Sequence, residues 1–295
     1  MTRRPRYSTV CASFVFVLGA SLQAQDLGDL KIDRIAVNMR YTEGPAWSPE
    51  GFLLFGDTVT NQLHKFVAGK GISDFGDRPG GPMGMAYDAQ GRLYTCEFRG
   101  RRVTRVDKKG KNEIVAERFE GKRFNAPNDI VIRRDGHLWF TDPAFGNQQD
   151  SRELDFYGVF HVSPKGEIEA IARLKTRPNG IALAPAGKIL YVADADERLI
   201  RAWDIDKNGA ASNARVFVEK ITGVPGGVRT DEKGNVYVAG KYVYIYSPQG
   251  EFIRKIEMGE TPSNLCFGDA DLETLYITAQ TSVYRLRMGV KGASY

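Results

Sequence analysis

The sequence predicts an all-β protein, a six-bladed β-propeller, from three observations. A polar or glycine-rich segment that opens an apolar strand recurs six times, beginning at positions 43, 83, 128, 179, 226 and 263. Each copy is followed by a turn and by a second strand rich in aromatic and branched residues. The copies begin 37 to 51 residues apart, which is the repeat length of propeller blades with four short strands each.

The turn between the first two strands of each repeat gives the clearest local signal. Its copies occupy residues 49–55, 88–94, 134–140, 185–191, 231–237 and 269–276. The first five copies contain a glycine, commonly after Asp or Pro, and these residues favour the backbone conformations of tight turns. The sixth copy lacks the glycine but keeps the strand residues Leu275 and Tyr276. Each repeat therefore predicts at least one hairpin.

The sixth repeat is one strand short. After Ser263 only three strands are predicted before the chain ends, whereas residues 32–37 form an apolar-rich strand that precedes the first repeat. We therefore expect residues 32–37 to supply the outer strand of the sixth blade and to close the ring. An open two-sheet sandwich is the alternative, and the sixfold period argues against it.

The first 24 residues have the layout of a secretory signal peptide. Arg3, Arg4 and Arg6 precede an uncharged apolar run, which ends near Ala24 before the first acid, Asp26. We expect cleavage before Gln25, a propeller domain over residues 25–295, and export to the periplasm or the extracellular space. An uncleaved membrane anchor is the alternative, but the apolar run is short for a spanning helix. No membrane association is expected after cleavage.

The net charge of the chain restricts the classes of molecule that it is expected to bind. The net charge of +5 falls to +2 without the three arginines of residues 1–24, which leaves 38 basic and 36 acidic residues. A nearly neutral domain gives no reason to propose a nucleic acid as partner.

Cys96 and Cys266 belong to blades that are not neighbours, so we expect two buried free thiols, although an oxidising compartment would permit a bridge.

The first residues of the six repeats should meet at one mouth of the central channel, because the innermost strands of a propeller surround its axis. These ring positions are Glu43, Met83, Asn128, Asn179, Gly226 and Ser263. One carboxylate and two carboxamides form an all-oxygen donor set, which suits Ca²⁺ or, less selectively, another divalent ion. The alternative is that Asn stands there because it tolerates turn geometry.

Several longer motifs stand in a recognisable order. They are Glu43-Gly44-Pro45 with Trp47, Gly91-Arg92-Leu93-Tyr94-Thr95-Cys96-Glu97, Arg101-Arg102-Val103-Thr104-Arg105, Glu120-Gly121-Lys122-Arg123, Pro127-Asn128-Asp129, Phe140-Thr141-Asp142-Pro143 and Pro178-Asn179-Gly180. Together they resemble the SMP-30/gluconolactonase/LRE family, and especially its bacterial gluconolactonases. The resemblance covers essentially all of residues 25–295.

The resemblance implies an enzyme that hydrolyses sugar lactones or related esters with one divalent cation above the channel. Calcium is the first expectation for that cation, with Zn²⁺, Mg²⁺ and Mn²⁺ as alternatives. By their match to the family motifs, Glu43 and Asn179 are implied as metal ligands, and Asn128 as a residue that contacts both metal and substrate. The oligomeric state is not implied.

One position departs from the family pattern. The family has an Asp in a Pro-Asp-Gly motif on the fifth blade, as a metal ligand and proposed general base, whereas this chain reads Pro225-Gly226-Gly227. Losing this acid removes a charge from the cation and a proton acceptor from the reaction. Asp129 is a weak substitute candidate for the catalytic base. The change Gly226→Asp is expected to raise metal affinity and lactone hydrolysis.

Two functions therefore remain open. The first is an exported, metal-dependent lactonase, favoured by Glu43, Asn128 and Asn179. The second is a catalytically impaired propeller that binds a ligand or a protein, favoured by Gly226. Both are compatible with the fold, because propellers serve both purposes.

Overall fold

The computed structural model describes Met1 and residues 30–77 and 80–295. Apart from Met1, the predicted signal peptide over residues 1–24 lies outside the described residues. The described chain is almost entirely β-structure, with two short 3-10 helices at Gly146–Ser151 and Pro185–Gly187. None of the helices in this part of the chain has the length and apolar character needed to cross a membrane.

Six four-stranded antiparallel sheets confirm the predicted six-bladed propeller. A two-stranded hairpin, which the sequence did not predict, lies between the second and third blades. The strands in chain order are β1 (Asp33–Ala36), β2 (Thr42–Ser48), β3 (Phe52–Asp57), β4 (Gln62–Val67), β5 (Gly71–Asp77), β6 (Pro82–Tyr87), β7 (Leu93–Glu97), β8 (Arg102–Val106), β9 (Asn112–Ala116), β10 (Arg118–Phe119), β11 (Lys122–Arg123), β12 (Ile130–Ile132), β13 (Leu138–Asp142), β14 (Tyr157–Val162), β15 (Ile168–Leu174), β16 (Pro178–Leu183), β17 (Ile189–Asp194), β18 (Leu199–Ile205), β19 (Ala211–Val218), β20 (Val228–Thr230), β21 (Val236–Ala239), β22 (Val243–Tyr246), β23 (Phe252–Ile256), β24 (Asn264–Gly268), β25 (Thr274–Ala279) and β26 (Ser282–Arg287).

The ring closes as the sequence predicts. Strand β1 pairs antiparallel with β26, with Asp33 opposite Arg285 and Ala36 opposite Val283. The sixth blade is therefore the sheet β1-β26-β25-β24, built from both ends of the described chain. This closure pairs the last strand of the described residues with the first, so that the outermost strand of the sixth blade comes from the opposite end of the described chain.

The hydrophobic core is divided among the six blade interfaces, because each sheet buries its faces against its two neighbours. Between the sixth and first blades, for example, Tyr276 stacks on Trp47 with ring centroids 5.5 Å apart. Cys96 lies in the interface of blades two and three, and Cys266 in that of blades six and one. Both are buried free thiols, as predicted.

Aspartates fix several of the turns at the outer ends of the strands. Asp88 accepts hydrogen bonds from the backbone N–H groups of Gln90 and Arg92, at 3.0 and 2.9 Å. Gly91 in the same turn has φ 74°, a left-handed conformation that favours glycine. The same side-chain pattern recurs at Asp107, Asp206 and Asp231. These local contacts explain why the turns were predictable from sequence.

Candidate functional site

The six ring positions meet around the channel axis, at the start of the innermost strands. Hydrogen bonds beside the ring join neighbouring blades: Gly84 N–H to Asn128 O at 2.6 Å, Thr141 Oγ1 to Asn179 O at 2.6 Å, Gly180 N–H to Gly226 O at 3.1 Å, Gly227 N–H to Ser263 O at 2.9 Å, and Ser263 Oγ to Thr42 O at 2.7 Å. The first two blades meet where Gly44 approaches Met83. The predicted ring therefore forms.

Glycines after the ring positions allow this close approach. Gly44 has φ 55°, and a Cβ added there would lie 1.8 Å from the carbonyl oxygen of Met83. A Cβ on Gly180 would lie 2.2 Å from the carbonyl oxygen of Gly226. Any larger residue would push neighbouring blades apart, so the glycines keep the mouth of the channel narrow.

Glu43 is the ring carboxylate, half-buried at the channel mouth. Loss of hydration raises the pKa of its carboxyl to about 7, and the nearby charge of Asp129 adds to the rise. Hydrogen bonds from the Gly44 N–H and the Asn264 amide, with the more distant charge of Arg229, only partly offset these effects. The ionised carboxylate is therefore short of positive charge, a deficit that a bound cation would supply.

The two ring asparagines carry side-chain amide oxygens that no described residue engages. Asn128 is 6% exposed, and its side-chain amide has no hydrogen-bond partner among the described residues. Asn179 donates from Nδ2 to the carbonyl oxygen of Pro225 at 3.2 Å, which leaves its Oδ1 unengaged by any described residue. Asn179 is half-buried, and neither amide is among the fully buried unpartnered groups of the described residues, so both oxygens are accessible to a ligand at the ring.

Asp142 holds the loop that carries Asn128. Its carboxylate oxygens accept the backbone N–H groups of Asn125 and Ala126 at 2.8 and 2.7 Å. Burial raises the pKa of Asp142 to about 7, and these two N–H groups oppose the rise. The Asp142 side chain therefore fixes the backbone of the loop that leads to Asn128, and both of its oxygens are used in doing so.

Asp129 is fully buried, and both of its oxygens are engaged. Oδ1 accepts the Ile130 N–H at 3.0 Å, and Oδ2 accepts the Ile181 N–H at 3.2 Å. Arg229 Nη1 donates to Oδ2 at 3.0 Å across the channel from the fifth blade. Because the side chain is buried and both oxygens already accept hydrogen bonds, neither oxygen is open to a water at the ring, which speaks against Asp129 as the general base.

Arg229 is a buried charged residue beside the ring that the sequence analysis did not single out. It is 14% exposed, and Nη1 also donates to the carbonyl oxygens of Val228 and Ile181, so it ties blades three, four and five together. The sequence feature that could have indicated it is a charged residue at the centre of β20, the innermost strand of the fifth blade. When Glu43 is ionised, Glu43 and Asp129 set two carboxylates against the one guanidinium of Arg229, a net charge of −1 that favours a cation.

The opposite end of the channel is covered by residues 290–295. The Ala293 N–H donates to Thr230 O at 2.9 Å, and the Tyr295 hydroxyl lies 2.9 Å from Thr230 Oγ1. A cavity of about 320 Å³ lies beneath this cover, bounded in part by Trp47, Arg229 and Cys266. The ring and this cavity are therefore at different ends of the inner strands.

Gly226 offers no side chain to the ring, and its surroundings leave little space for one. Its φ lies outside the left-handed region, so backbone conformation is not the constraint. A Cβ built on it would lie 2.3 Å from the carbonyl oxygen of Ser263, which belongs to the backbone. The structure thus adds a steric cost to Gly226→Asp that the sequence did not indicate.

We expect Gly226→Asp to lower the free energy of unfolding by about 1–3 kcal/mol, the usual cost of overpacking a close contact. Gly259→Asp is the matched control, because a Cβ there meets only the Tyr284 hydroxyl, at 3.6 Å. Urea unfolding of both variants measures the difference. Equal stability of the two variants would show that the Ser263 carbonyl can shift to make room for the new side chain. The metal affinity of Gly226→Asp could then be compared directly with that of the wild type.

Among the described residues no three His, Cys, Asp or Glu side chains converge as a metal centre. A cation at the ring would therefore rely on amide oxygens beside Glu43. Carboxylate and amide oxygens are the donors that Ca²⁺ accepts in proteins, so the residues present fit such an ion.

The chain is similar in sequence and in structure to known gluconolactonases. The model of the SMP-30/gluconolactonase/LRE-like region matches residues 41–281. A gluconolactonase of Zymomonas mobilis subsp. mobilis is 32% identical over 288 residues, covering 87% of this chain and 81% of the relative. A gluconolactonase from Xanthomonas campestris superposes with a TM-score of 0.82 at 32% identity, covering 91% of this chain and 92% of that one. A putative gluconolactonase superposes with a TM-score of 0.85 at 29% identity, covering 90% and 95%.

Proposed function

The chain belongs to the SMP-30/gluconolactonase/LRE family, and from this premise we propose that it hydrolyses sugar lactones or related sugar-derived esters with the help of one divalent cation. The observation that carries the proposal is the ring, to which the Glu43 carboxylate and the unengaged amide oxygens of Asn128 and Asn179 belong. Relatives of similar length named gluconolactonase support a lactone as the substrate.

Glu43, Asn128 and Asn179 are the residues that would hold the cation. Their oxygens suit Ca²⁺ better than the other divalent ions. The net charge of −1 shared by Glu43, Asp129 and Arg229 favours the binding of any divalent cation. Zn²⁺, Mg²⁺ and Mn²⁺ are the alternatives. A bound divalent ion would supply Lewis-acid polarisation of the lactone carbonyl.

The chain's own groups would orient the substrate. We assign Asn128 to contact both the cation and the substrate, an assignment supported by its ring position and its small exposed fraction of 6%. The buried Arg229–Asp129 pair joins the fifth and third blades beside the ring and would hold the inner strands that carry it in place. Neither Gly226 nor the engaged Asp129 supplies a free carboxylate base, so the proposal assigns no catalytic base.

A binding module without catalysis is the second candidate, and Gly226 is the observation that favours it. The position where the family has an acid holds no side chain and is closed by the Ser263 carbonyl. In this case the ring would retain a ligand without turning it over.

A lactone panel assayed with and without chelator tests the choice. We expect gluconolactone, or a related five- or six-carbon sugar lactone, to be hydrolysed above its spontaneous rate. EDTA should abolish this excess rate, and added Ca²⁺ should restore it. Rates equal to the spontaneous ones for every lactone, with gluconolactone still bound, would favour the binding module instead.

Export is proposed from the sequence of residues 1–24 alone. The basic start, the apolar run and Ala24 before Gln25 are the features that support it. We expect protein recovered from the periplasm or the medium to begin near Gln25. Sequencing that finds the exported protein still beginning at Met1 would contradict cleavage.

A further inference from the structure

A second polar cavity lies beside the ring, on the same face of the propeller. It has a volume of about 240 Å³ and lies between the loop after β7, the loop before β12 and the 3-10 helix Gly146–Ser151. We call it the Arg101 cavity, and its polar lining comprises Arg99, Arg101, Asn125, Asn147, Gln148 and Ser151. Asn125 stands three residues before Asn128, so the same loop borders both sites.

Asn125 brings an unpartnered acceptor to this cavity. The residue is 1% exposed, and its Nδ2 donates to the carbonyl oxygens of Asp142 and Phe156 at 3.1 and 3.0 Å. These two bonds fix the orientation of the amide. Its Oδ1 is buried and has no hydrogen-bond partner among the described residues. A buried carbonyl oxygen that stays unpaired is costly, so a donor from outside the protein is expected there.

Arg101 brings an unpartnered donor to the same cavity. Its Nε donates to the Phe124 carbonyl oxygen at 2.6 Å, and its Nη1 lies 3.3 Å from a carboxylate oxygen of Glu153. Its Nη2 is buried and has no hydrogen-bond partner among the described residues. The side chain is 14% exposed, so these contacts hold the guanidinium in place while the N–H groups of Nη2 remain without an acceptor among the described residues.

The charge of the lining selects an anion. Arg99 and Arg101 are cationic, no acidic residue belongs to the lining, and the remaining polar groups are two amides and a hydroxyl. Glu153 pairs with Arg101 from outside the lining, whereas Arg99 has no acidic partner among the described residues. Water could satisfy either unpartnered atom, but it does not balance the charge of Arg99. The volume lies below the range of about 300–1,000 Å³ that drug-sized ligands occupy, which indicates a small ligand.

We propose that the Arg101 cavity binds a small hydroxy acid, with its carboxylate on Arg101 Nη2 and a hydroxyl donating to Asn125 Oδ1. Opening a lactone produces one carboxylate and one new hydroxyl on the same molecule, which are the two groups that the unpartnered atoms require. The cavity would thus retain the aldonate released at the neighbouring ring. The choice of an aldonate rests on the proposed function, whereas the anion and hydroxyl preference rests on the cavity itself.

Calorimetry with sodium gluconate tests the proposal, with EDTA present so that no cation at the ring takes part. Glucitol lacks the carboxylate and acetate lacks the hydroxyls, so both should bind far more weakly than gluconate. Arg101→Met should weaken gluconate binding by about tenfold or more, the usual effect of losing one charge-assisted hydrogen bond. Arg99→Glu, which reverses an exposed charge at the rim, should weaken it as well.

Lys165→Glu is the matched control, because it makes the same charge change in an exposed turn of the third blade, outside the cavity lining. It should keep the wild-type affinity. If Arg101→Met fails to fold because Phe124 and Glu153 lose their contacts, Arg99→Glu decides the question. The proposal is overturned if the wild type does not bind gluconate, if glucitol binds equally well, or if the folded cavity variants retain wild-type affinity.

A lactonase assay on the same samples separates the two proposals. Gluconate binding with the expected variant pattern but without any lactone hydrolysis would support the cavity and reject the proposed function. Hydrolysis without gluconate binding would reject the cavity alone.

Discussion

Replacing Glu43 by glutamine is expected to abolish tight Ca²⁺ binding and to reduce cation-dependent lactone hydrolysis by about 10²–10³-fold, the range seen when one electrostatic stabiliser of a reaction is removed. Glu43 is the only carboxylate in the proposed ligand set, and a neutral amide cannot replace its attraction for a divalent ion. The fold should persist, because an amide oxygen can still accept the Gly44 N–H bond. Calorimetry with Ca²⁺ and the lactone assay measure the two effects.

Glu50→Gln is the control for this change. Glu50 is an acid in the exposed turn after β2, so its replacement alters the net charge equally without touching the ring. It should leave both Ca²⁺ affinity and hydrolysis unchanged. Unaltered Ca²⁺ affinity in Glu43→Gln would place the cation elsewhere and remove the ring as the metal site.

Arg229→Met is expected to lower the free energy of unfolding by about 3–5 kcal/mol in the absence of divalent ions, the usual cost of leaving a buried charge without its partner. Asp129 would keep only its backbone donors, and Glu43 would lose the nearest cation that offsets its charge. The net charge of the site would change from −1 to −2, so Ca²⁺ should bind more tightly and should restore part of the lost stability. Urea unfolding in EDTA and in Ca²⁺ measures both effects.

Two further variants make this result specific. The double variant Asp129→Asn/Arg229→Met removes both charges and should recover most of the stability. Arg215→Met breaks a pair with Asp204 in which both side chains are partly exposed to solvent, so it should cost no more than about 1 kcal/mol. A loss for Arg229→Met as small as that for Arg215→Met would mean that the Asp129 pair contributes little to the channel.

The sequence alone determined the architecture and the ring, because their causes are local and repeated. Each turn is fixed by an Asp or Gly within a few residues, as at Asp88 and Gly91, and each strand by its apolar pattern. Sixfold repetition then places equivalent residues at equivalent points, so Glu43, Asn128 and Asn179 could be assigned to one mouth. The same counting predicted that residues 32–37 complete the sixth blade, as the pairing of β1 with β26 confirms.

Only the tertiary structure decided which of these residues are free to act. Asp129 and Arg229 are 100 positions apart, and no local pattern indicates that they pair across the channel. The space at Gly226 depends on the Ser263 carbonyl of the next blade, and the unpaired atoms of Arg101 and Asn125 depend on loops from two blades. Pairing, close approach and buried unpartnered groups arise from distances between segments that are remote in sequence, so a repeat pattern predicts the positions but not their partners.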